Sequence, residues 1–216
     1  MELSIKRINT QGIVYIEPLD GSTEWYWGSD YTSGDLYEAE ELFKHGHPVN
    51  QNKLLFFRYP DGKTVQPVVA KKGQYFGKPI YYNGRIIILA VDFPSETIKL
   101  IEFDDANNRT SLLANIPLSS VEDCYNLMLK ESPLMLTRQG SERTFQIVWP
   151  EKKSFEAGNT ESFLARRGEK LYFSAWYEDP DYREEVIIRN METGEIVDRI
   201  PGGLTVMPNG QIWILA

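Results

Sequence analysis

Short runs of β-branched and aromatic residues, each closed by Gly, Pro, Asn or Asp, recur along the whole chain. Residues 84–91 (GRIIILAV), 170–177 (KLYFSAWY) and 211–216 (QIWILA) are examples, all of strand length and bounded by turn formers. Apolar positions at helical spacing are nearly confined to 35–44 (DLYEAEELFK). There Leu36, Ala39, Leu42 and Phe43 suit a helical face, whereas a strand would align Glu38 and Glu40 with Leu36 and Leu42 and bury two acids. The pattern predicts a helical turn at this place and an all-β chain elsewhere.

The strand runs repeat. Residues 3–16, 53–69, 98–116, 144–155 and 186–200 share one design: an apolar-rich strand, a turn, then a second short strand. Anchored on Leu3, Leu54, Ile98, Phe145 and Val186, the spacings are 51, 44, 47 and 41 residues. Between successive hairpins lies a further strand pair, such as 79–82 with 84–91, or 162–166 with 170–177. Two hairpins per unit make a four-stranded meander, and five units of roughly 43 residues fill the chain, as in a propeller of 40–45-residue blades. The C-terminal stretch 205–216 supplies two strands, and the N-terminal hairpin supplies the complementary two. The expected fold is a five-bladed β-propeller of four-stranded antiparallel blades, a single domain over 1–216, with one blade shared between the N- and C-termini. Sharing a blade closes the ring and leaves no open edge to template aggregation.

Residues 207–214 (MPNGQIWI) resemble the P-[DN]-G-x-I-W strand-turn-strand of the β-propeller superfamily, in particular its lactonase-like and NHL-type blades. The resemblance implies a propeller hairpin. Five-bladed relatives include a sugar-binding lectin, glycoside hydrolases and a calcium-dependent nucleotidase, so it leaves the activity open. The hydrolases repeat an acid on their inner strands, and the corresponding runs here (IYY, YNLML, FLAR, LTVM) hold no acid in common.

Composition narrows the classes. The chain has 216 residues, 42% apolar and 25% charged, with one cysteine, Cys124. That is globular and excludes both an intrachain disulfide framework and a multi-cysteine metal site. The N-terminus lacks an apolar leader and no run is long enough to span a bilayer, so a cytoplasmic protein without a membrane partner is expected. The net charge of −8 disfavours binding to a phosphate backbone, so no nucleic-acid partner is expected. The excess is local: residues 17–44 carry eight acids and one base, while the rest of the chain carries 23 acids and 22 bases.

Candidate chemistry comes from that segment and from the loops. On a propeller the connectors between second and third strands, and between consecutive blades, gather on one face and carry function. Here they are residues 17–22, 44–52, 71–78, 92–96, 119–123, 139–143, 156–161 and 177–185. The acidic–aromatic stretch offers Trp25, Trp27, Asp30, Tyr31, Asp35, Glu38 and Glu41 as ligand-binding candidates, since aromatic faces beside carboxylates suit cations and sugars. Blade packing is the alternative fate for the tryptophans. His45 and His47 would share a face on a strand and could hold a metal, but Gly46 and Pro48 mark a turn. Loop acids such as Asp92, Glu96, Glu178, Asp179 and Asp181 could pair for glycoside chemistry if they flank a cleft. The sequence favours a non-catalytic binding module for a cationic, saccharide or peptide partner, with no cofactor. A hydrolase acting on a saccharide or lactone, through loop carboxylates or a divalent metal, is the alternative.

Overall fold

The computed structural model describes residues 5–31, 35–50, 52–207 and 211–215. Among them the chain forms nineteen strands and one α-helix, and it divides into two compact units, Met1–Ser119 and Ser120–Ala216.

The first unit holds two antiparallel sheets. One runs in sequence order through β1 (Glu17–Pro18), β2 (Trp25–Ser29), β3 (Leu54–Arg58) and β4 (Lys63–Val65). In the other, β5 (Gln74–Phe76) and β6 (Ile80–Tyr82) pair with opposite ends of β7 (Arg85–Asp92), followed by β8 (Thr97–Asp104) and β9 (Arg109–Pro117). Asn83 and Gly84 turn β6 into β7 with φ of 48° and 79°. Two positive φ values in succession are what a type I′ hairpin needs, and Asn-Gly supplies them at least cost. Trp25, Trp27, Leu54 and Phe56 on one face of the first sheet join Phe76, Ile86, Ile88 and Phe103 of the second in a common core. On the opposite face, Leu55 and Phe57 are covered by Ile13, with Ile8 and Tyr26 packed alongside.

Helix α1 (Leu36–Lys44) lies in the connector between β2 and β3. Asp35 caps it by accepting a hydrogen bond from the Glu38 N–H at 3.0 Å, which satisfies one of the orphan donors of the first turn. Leu36 and Ala39 are buried, and the equally buried Glu40 is paired with Lys44 at 3.0 Å. The capping residue and the i, i+4 pair decide the helix-or-strand ambiguity of 35–44 in favour of the helix.

The second unit repeats the four-stranded order twice. The strands are β10 (Met128–Glu131), β11 (Leu134–Gln139), β12 (Thr144–Trp149) and β13 (Lys153–Glu156), then β14 (Glu161–Arg167), β15 (Lys170–Tyr177), β16 (Arg183–Asn190) and β17 (Ile196–Pro201). Their shared core centres on Phe145, whose ring lies 4.8–5.2 Å from those of Phe155, Phe163 and Phe173. A two-stranded pair, β18 (Gly203–Val206) and β19 (Ile212–Leu215), ends the chain.

Four of the five hairpins read from the sequence are therefore the third and fourth strands of the four larger sheets. In each sheet a middle strand carries a buried apolar run, and in the sheets ending in β9, β13 and β17 the last strand is the most exposed. The architecture is all-β with several four-stranded antiparallel sheets; among the described residues no sheet closes on itself. The fifth hairpin differs. Residues 5–16 form no strand, although the turn at Gln11 and Gly12 is present with φ of 50° and 92°. Ile8 and Ile13 are drawn onto the face of Leu55 and Phe57, and that packing, rather than a ladder, satisfies them. Of the 207–214 motif, Pro208, Asn209 and Gly210 lie outside the described residues, and β19 takes up its last three residues, Ile212–Ile214. Among the described residues no helix is long and apolar enough to cross a membrane.

Candidate functional site

In the second unit three connectors converge. Residues 125–126 ahead of β10, 139–143 between β11 and β12, and 158–162 leading into β14 line a pocket of about 320 Å³. A smaller pocket of about 220 Å³ shares Asn126, Gln139 and Ser162 with it and adds Met128, Lys130, Phe145 and Phe163. The two make one groove with a polar end of amides and hydroxyls and a more apolar end.

Each wall is fixed from behind. Arg138 on β11 is fully buried. Its guanidinium donates to Asp123 Oδ1 at 3.0 and 2.7 Å, to the Asp123 carbonyl at 3.0 Å, and to Glu142 Oε1 at 2.8 Å. One arginine thereby ties the connector before β10 to the connector after β11. The same contact holds the Glu142 carboxyl below the usual carboxylate range, the Arg138 hydrogen bond outweighing the effect of burial. The third wall is pinned by a second buried pair, in which Arg189 Nε and Nη2 each donate to a Glu161 oxygen at 2.8 Å. That guanidinium also donates to the Gly194 carbonyl and lies about 6 Å from the ring centres of Phe155 and Phe173. Gln139 bridges the groove floor: its amide donates to the Glu161 carbonyl, and its Oε1 accepts from the Phe163 N–H at 3.1 Å. Asn126, with φ of 47°, donates to the Gln139 carbonyl at 3.3 Å.

Such an arrangement lines the groove with amide and hydroxyl side chains beside an exposed aromatic ring, Tyr125. The acids of these connectors are held in ion pairs. Asp123 and Glu142 are committed to Arg138, and Glu161 to Arg189.

The acidic–aromatic candidates lie in the first unit. Trp25 and Trp27 do share a face, as the period of two requires, but that face is the core, and they are 4% and 1% exposed. Asp30 accepts from the Lys53 N–H at 2.6 Å, Asp35 is the helix cap, Glu38 lies exposed in the first turn of α1, and Glu41 pairs with Lys44 at 3.2 Å. Asp30 and Tyr31 come together with Tyr15, Glu17 and the Trp27–Ser29 strand end around a pocket of about 290 Å³. The Tyr31 hydroxyl is buried without a hydrogen-bond partner in this structure. Burial, followed by the nearby Glu38, Tyr75 and Asp35, pushes the phenol up to about 12. Asp35, Glu38 and Glu41 are not among the residues lining this pocket.

His45 and His47 are exposed beyond the end of α1, with His45 Nδ1 2.7 Å from the Glu41 carbonyl. Among the described residues no three His, Cys, Asp or Glu side chains form a group that could hold a metal ion. Of the loop acids, Asp92 is bound by Gln74 and Lys99 at 2.7 and 2.8 Å.

The connectors 139–143 and 156–161 are among the loops read from the sequence, but the ligand-binding candidates named there lie elsewhere. One signal was available. Arg138 interrupts the apolar run LMLTRQ, and a charged residue within a buried strand implies a paired and hydrogen-bonded charge.

No family model matches this chain, and no curated protein matches it. Among the solved structures that resemble it weakly are two propeller-type proteins. A dipeptidyl peptidase 4 from Porphyromonas gingivalis aligns at TM-score 0.43 and 7% identity, over 88% of this chain and 31% of its own. A candidate 6-phosphogluconolactonase from Bacteroides uniformis aligns at TM-score 0.35 and 14% identity, over 87% of this chain and 73% of its own.

Proposed function

We propose that this chain is a non-catalytic binding module whose ligand is a saccharide or a similarly hydroxyl-rich molecule, seated in the groove lined by Tyr125, Asn126, Gln139, Ser141, Asn159 and Ser162. The observation that carries the reading is the convergence of three connectors on one pocket, each held by a buried arginine–carboxylate contact. A sugar hydroxyl both donates and accepts, as do the amides and hydroxyls of Ser141, Asn159 and Ser162. Tyr125 provides an apolar ring face at the rim. A glycoside hydrolase of the usual kind needs two carboxylates free to exchange protons across the cleft. Because the acids here are engaged by arginines, binding is the reading taken. A calorimetric titration with a panel of mono- and disaccharides tests it. At least one sugar is expected to bind, and Asn159→Ala and Ser162→Ala, both at exposed positions, are expected to weaken it without changing the urea midpoint. A panel that leaves the protein silent refutes the reading.

The fold reading that accompanies it is a single five-bladed propeller, in which β18 and β19 are half of the fifth blade and the N-terminal segment, irregular over residues 5–16 here, lies at the closure. It is supported by the hairpin spacing and by the exposed apolar residues Val14, Tyr15, Trp213 and Leu215. Removing residues 1–10 should open the ring and promote aggregation; a soluble truncation with an unchanged cooperative transition would argue against closure.

A second reading rests on the pocket that Glu17, Asp30 and Tyr31 line together. That pocket suits a cationic group, such as the side chain of a basic peptide. Replacing Glu17 and Asp30 by their amides should weaken binding of an Arg- and Lys-rich peptide and flatten its salt dependence. Unchanged binding removes this reading.

A further inference from the structure

We infer that the ligand of the second-unit groove carries an anionic group, a carboxylate or sulfate on a saccharide, seated on Arg143; this rests on the saccharide reading above. The polar end of the groove contains two ionic side chains, Arg143 and Glu161, and the adjoining end contributes Lys130. Glu161 is buried and its charge is answered by both nitrogens of Arg189, so it presents no net negative charge to the groove. Lys130 Nζ donates to the Phe163 carbonyl at 3.3 Å and lies 5.7 Å from the Phe163 ring centre. Arg143 is thus the cationic side chain at the polar end of the groove, and its printed partner is Glu156, at 3.8 Å.

Arg143 is the side chain free to respond to a ligand. Its pairing with Glu156 spans 3.8 Å between two side chains that are 51% and 77% exposed. Exposed pairs of that kind are weak and readily exchanged for a better-placed anion. The nearer acid in sequence, Glu142, is turned to Arg138 instead. The backbone of Arg143 is itself held in place: its N–H donates to the Gly140 carbonyl at 3.3 Å, and its carbonyl accepts from the Ala157 N–H at 2.8 Å. It is held at φ of 72°, a region that non-glycine residues seldom occupy, so the loop keeps an arginine where glycine would be less strained. A guanidinium presents a planar fork of donors that matches a carboxylate or sulfate in two parallel hydrogen bonds. The amides and hydroxyls of Asn126, Ser141, Asn159 and Ser162 around it then address the ring hydroxyls of the same ligand.

The test is calorimetry on the full chain with three probes: digalacturonate, a 6-sulfated digalactoside and the unsubstituted digalactoside. At least one acidic probe is expected to bind tenfold or more tightly than the neutral one, and the two acidic arms distinguish carboxylate from sulfate. Arg143→Gln should cut that preference below threefold, and Arg143→Gly should do the same while relieving the backbone, so a folding defect cannot mimic the result. Arg143→Lys, which keeps the charge but not the fork, should retain part of the preference. Asn159→Ala should weaken all three probes alike. Equal binding of acidic and neutral probes overturns the inference and leaves the saccharide reading standing. A preference that survives Arg143→Gln and Arg143→Gly overturns the assignment to Arg143. Silence with all three probes overturns both readings.

Discussion

Replacing Arg138 by methionine isolates the contact that joins two walls of the groove. Methionine fills a similar length without charge, so the change removes the hydrogen bonds while limiting the cavity. Arg138 makes four hydrogen bonds between 2.7 and 3.0 Å to Asp123 and Glu142 and is 0% exposed. Breaking one side of a buried ion pair costs about 3–5 kcal/mol. The two carboxylates left behind are 21% and 38% exposed and can regain water, which places the cost near the lower limit, about 3 kcal/mol. With a urea m-value of about 2 kcal/mol/M, the midpoint should fall by about 1.5 M. Equilibrium urea unfolding measures this, and amide exchange over residues 122–126 and 140–143 should accelerate in the same variant. Asp123→Asn alone and combined with Arg138→Met completes a double-mutant cycle, whose coupling should lie between about 0.5 and 3 kcal/mol. A midpoint within error of the wild type, or zero coupling, would mean that Arg138 merely fills space, and the two walls would not be joined through it.

Three further outcomes rest on named contacts. A Cβ on Gly28 would sit 2.7 Å from both the Tyr15 carbonyl oxygen and Ile13 Cγ2, so Gly28→Ala should cost about 1–3 kcal/mol and expose residues 5–16 to limited proteolysis; an unaffected variant would mean that this segment does not lie against β2. Burial alone would raise the Asp92 pKa, but the hydrogen bonds from Lys99, Ser95 and Gln74 hold it at about 2. A depressed folded-state pKa stabilises the fold above the unfolded value near 3.8, and that stability, about 2 kcal/mol, is lost as pH falls towards 2. Asp92→Asn should therefore flatten the urea midpoint over this window, and an unaltered slope refutes the assignment. Finally, a spectrophotometric titration should find one phenol that ionises near 12 and disappears in Tyr31→Phe; a difference spectrum centred at pH 10 would contradict the buried setting of that hydroxyl.

The sheets were legible because their signal is local. A middle strand buried on both faces must be apolar along its length, as 86–91 is, and the turns need Asn, Gly or Pro at fixed places, as Asn83 and Gly84 show. The helix was legible from Leu36 and Ala39, and its capping residue, Asp35, completes the case. The N-terminal hairpin was misread for a different reason. Ile8 and Ile13 have strand chemistry, but they are satisfied by packing on Leu55 and Phe57, which no period within 3–16 reveals. The tryptophans had the same ambiguity: a shared face is readable, its destination is not. The groove was legible as loops but not as residues, because Asn126, Arg143 and Asn159 look like ordinary turn polarity until three connectors bring them together.

The connector carrying α1 does more than join β2 to β3. Phe43 stacks on Phe93 at 5.3 Å, Tyr31 packs on Tyr75 at 5.5 Å, the Val49 N–H donates to the Tyr75 hydroxyl at 2.7 Å, and the buried Asn52 links the Ser29 hydroxyl to the Phe76 N–H. Every one of these contacts ties the connector of the first sheet to the second sheet, either at β5 or just beyond β7. Opening either sheet alone would therefore strand polar groups and aromatic rings belonging to the other. The two sheets of the first unit are therefore expected to open as one cooperative unit, their amides exchanging through a shared opening reaction rather than sheet by sheet.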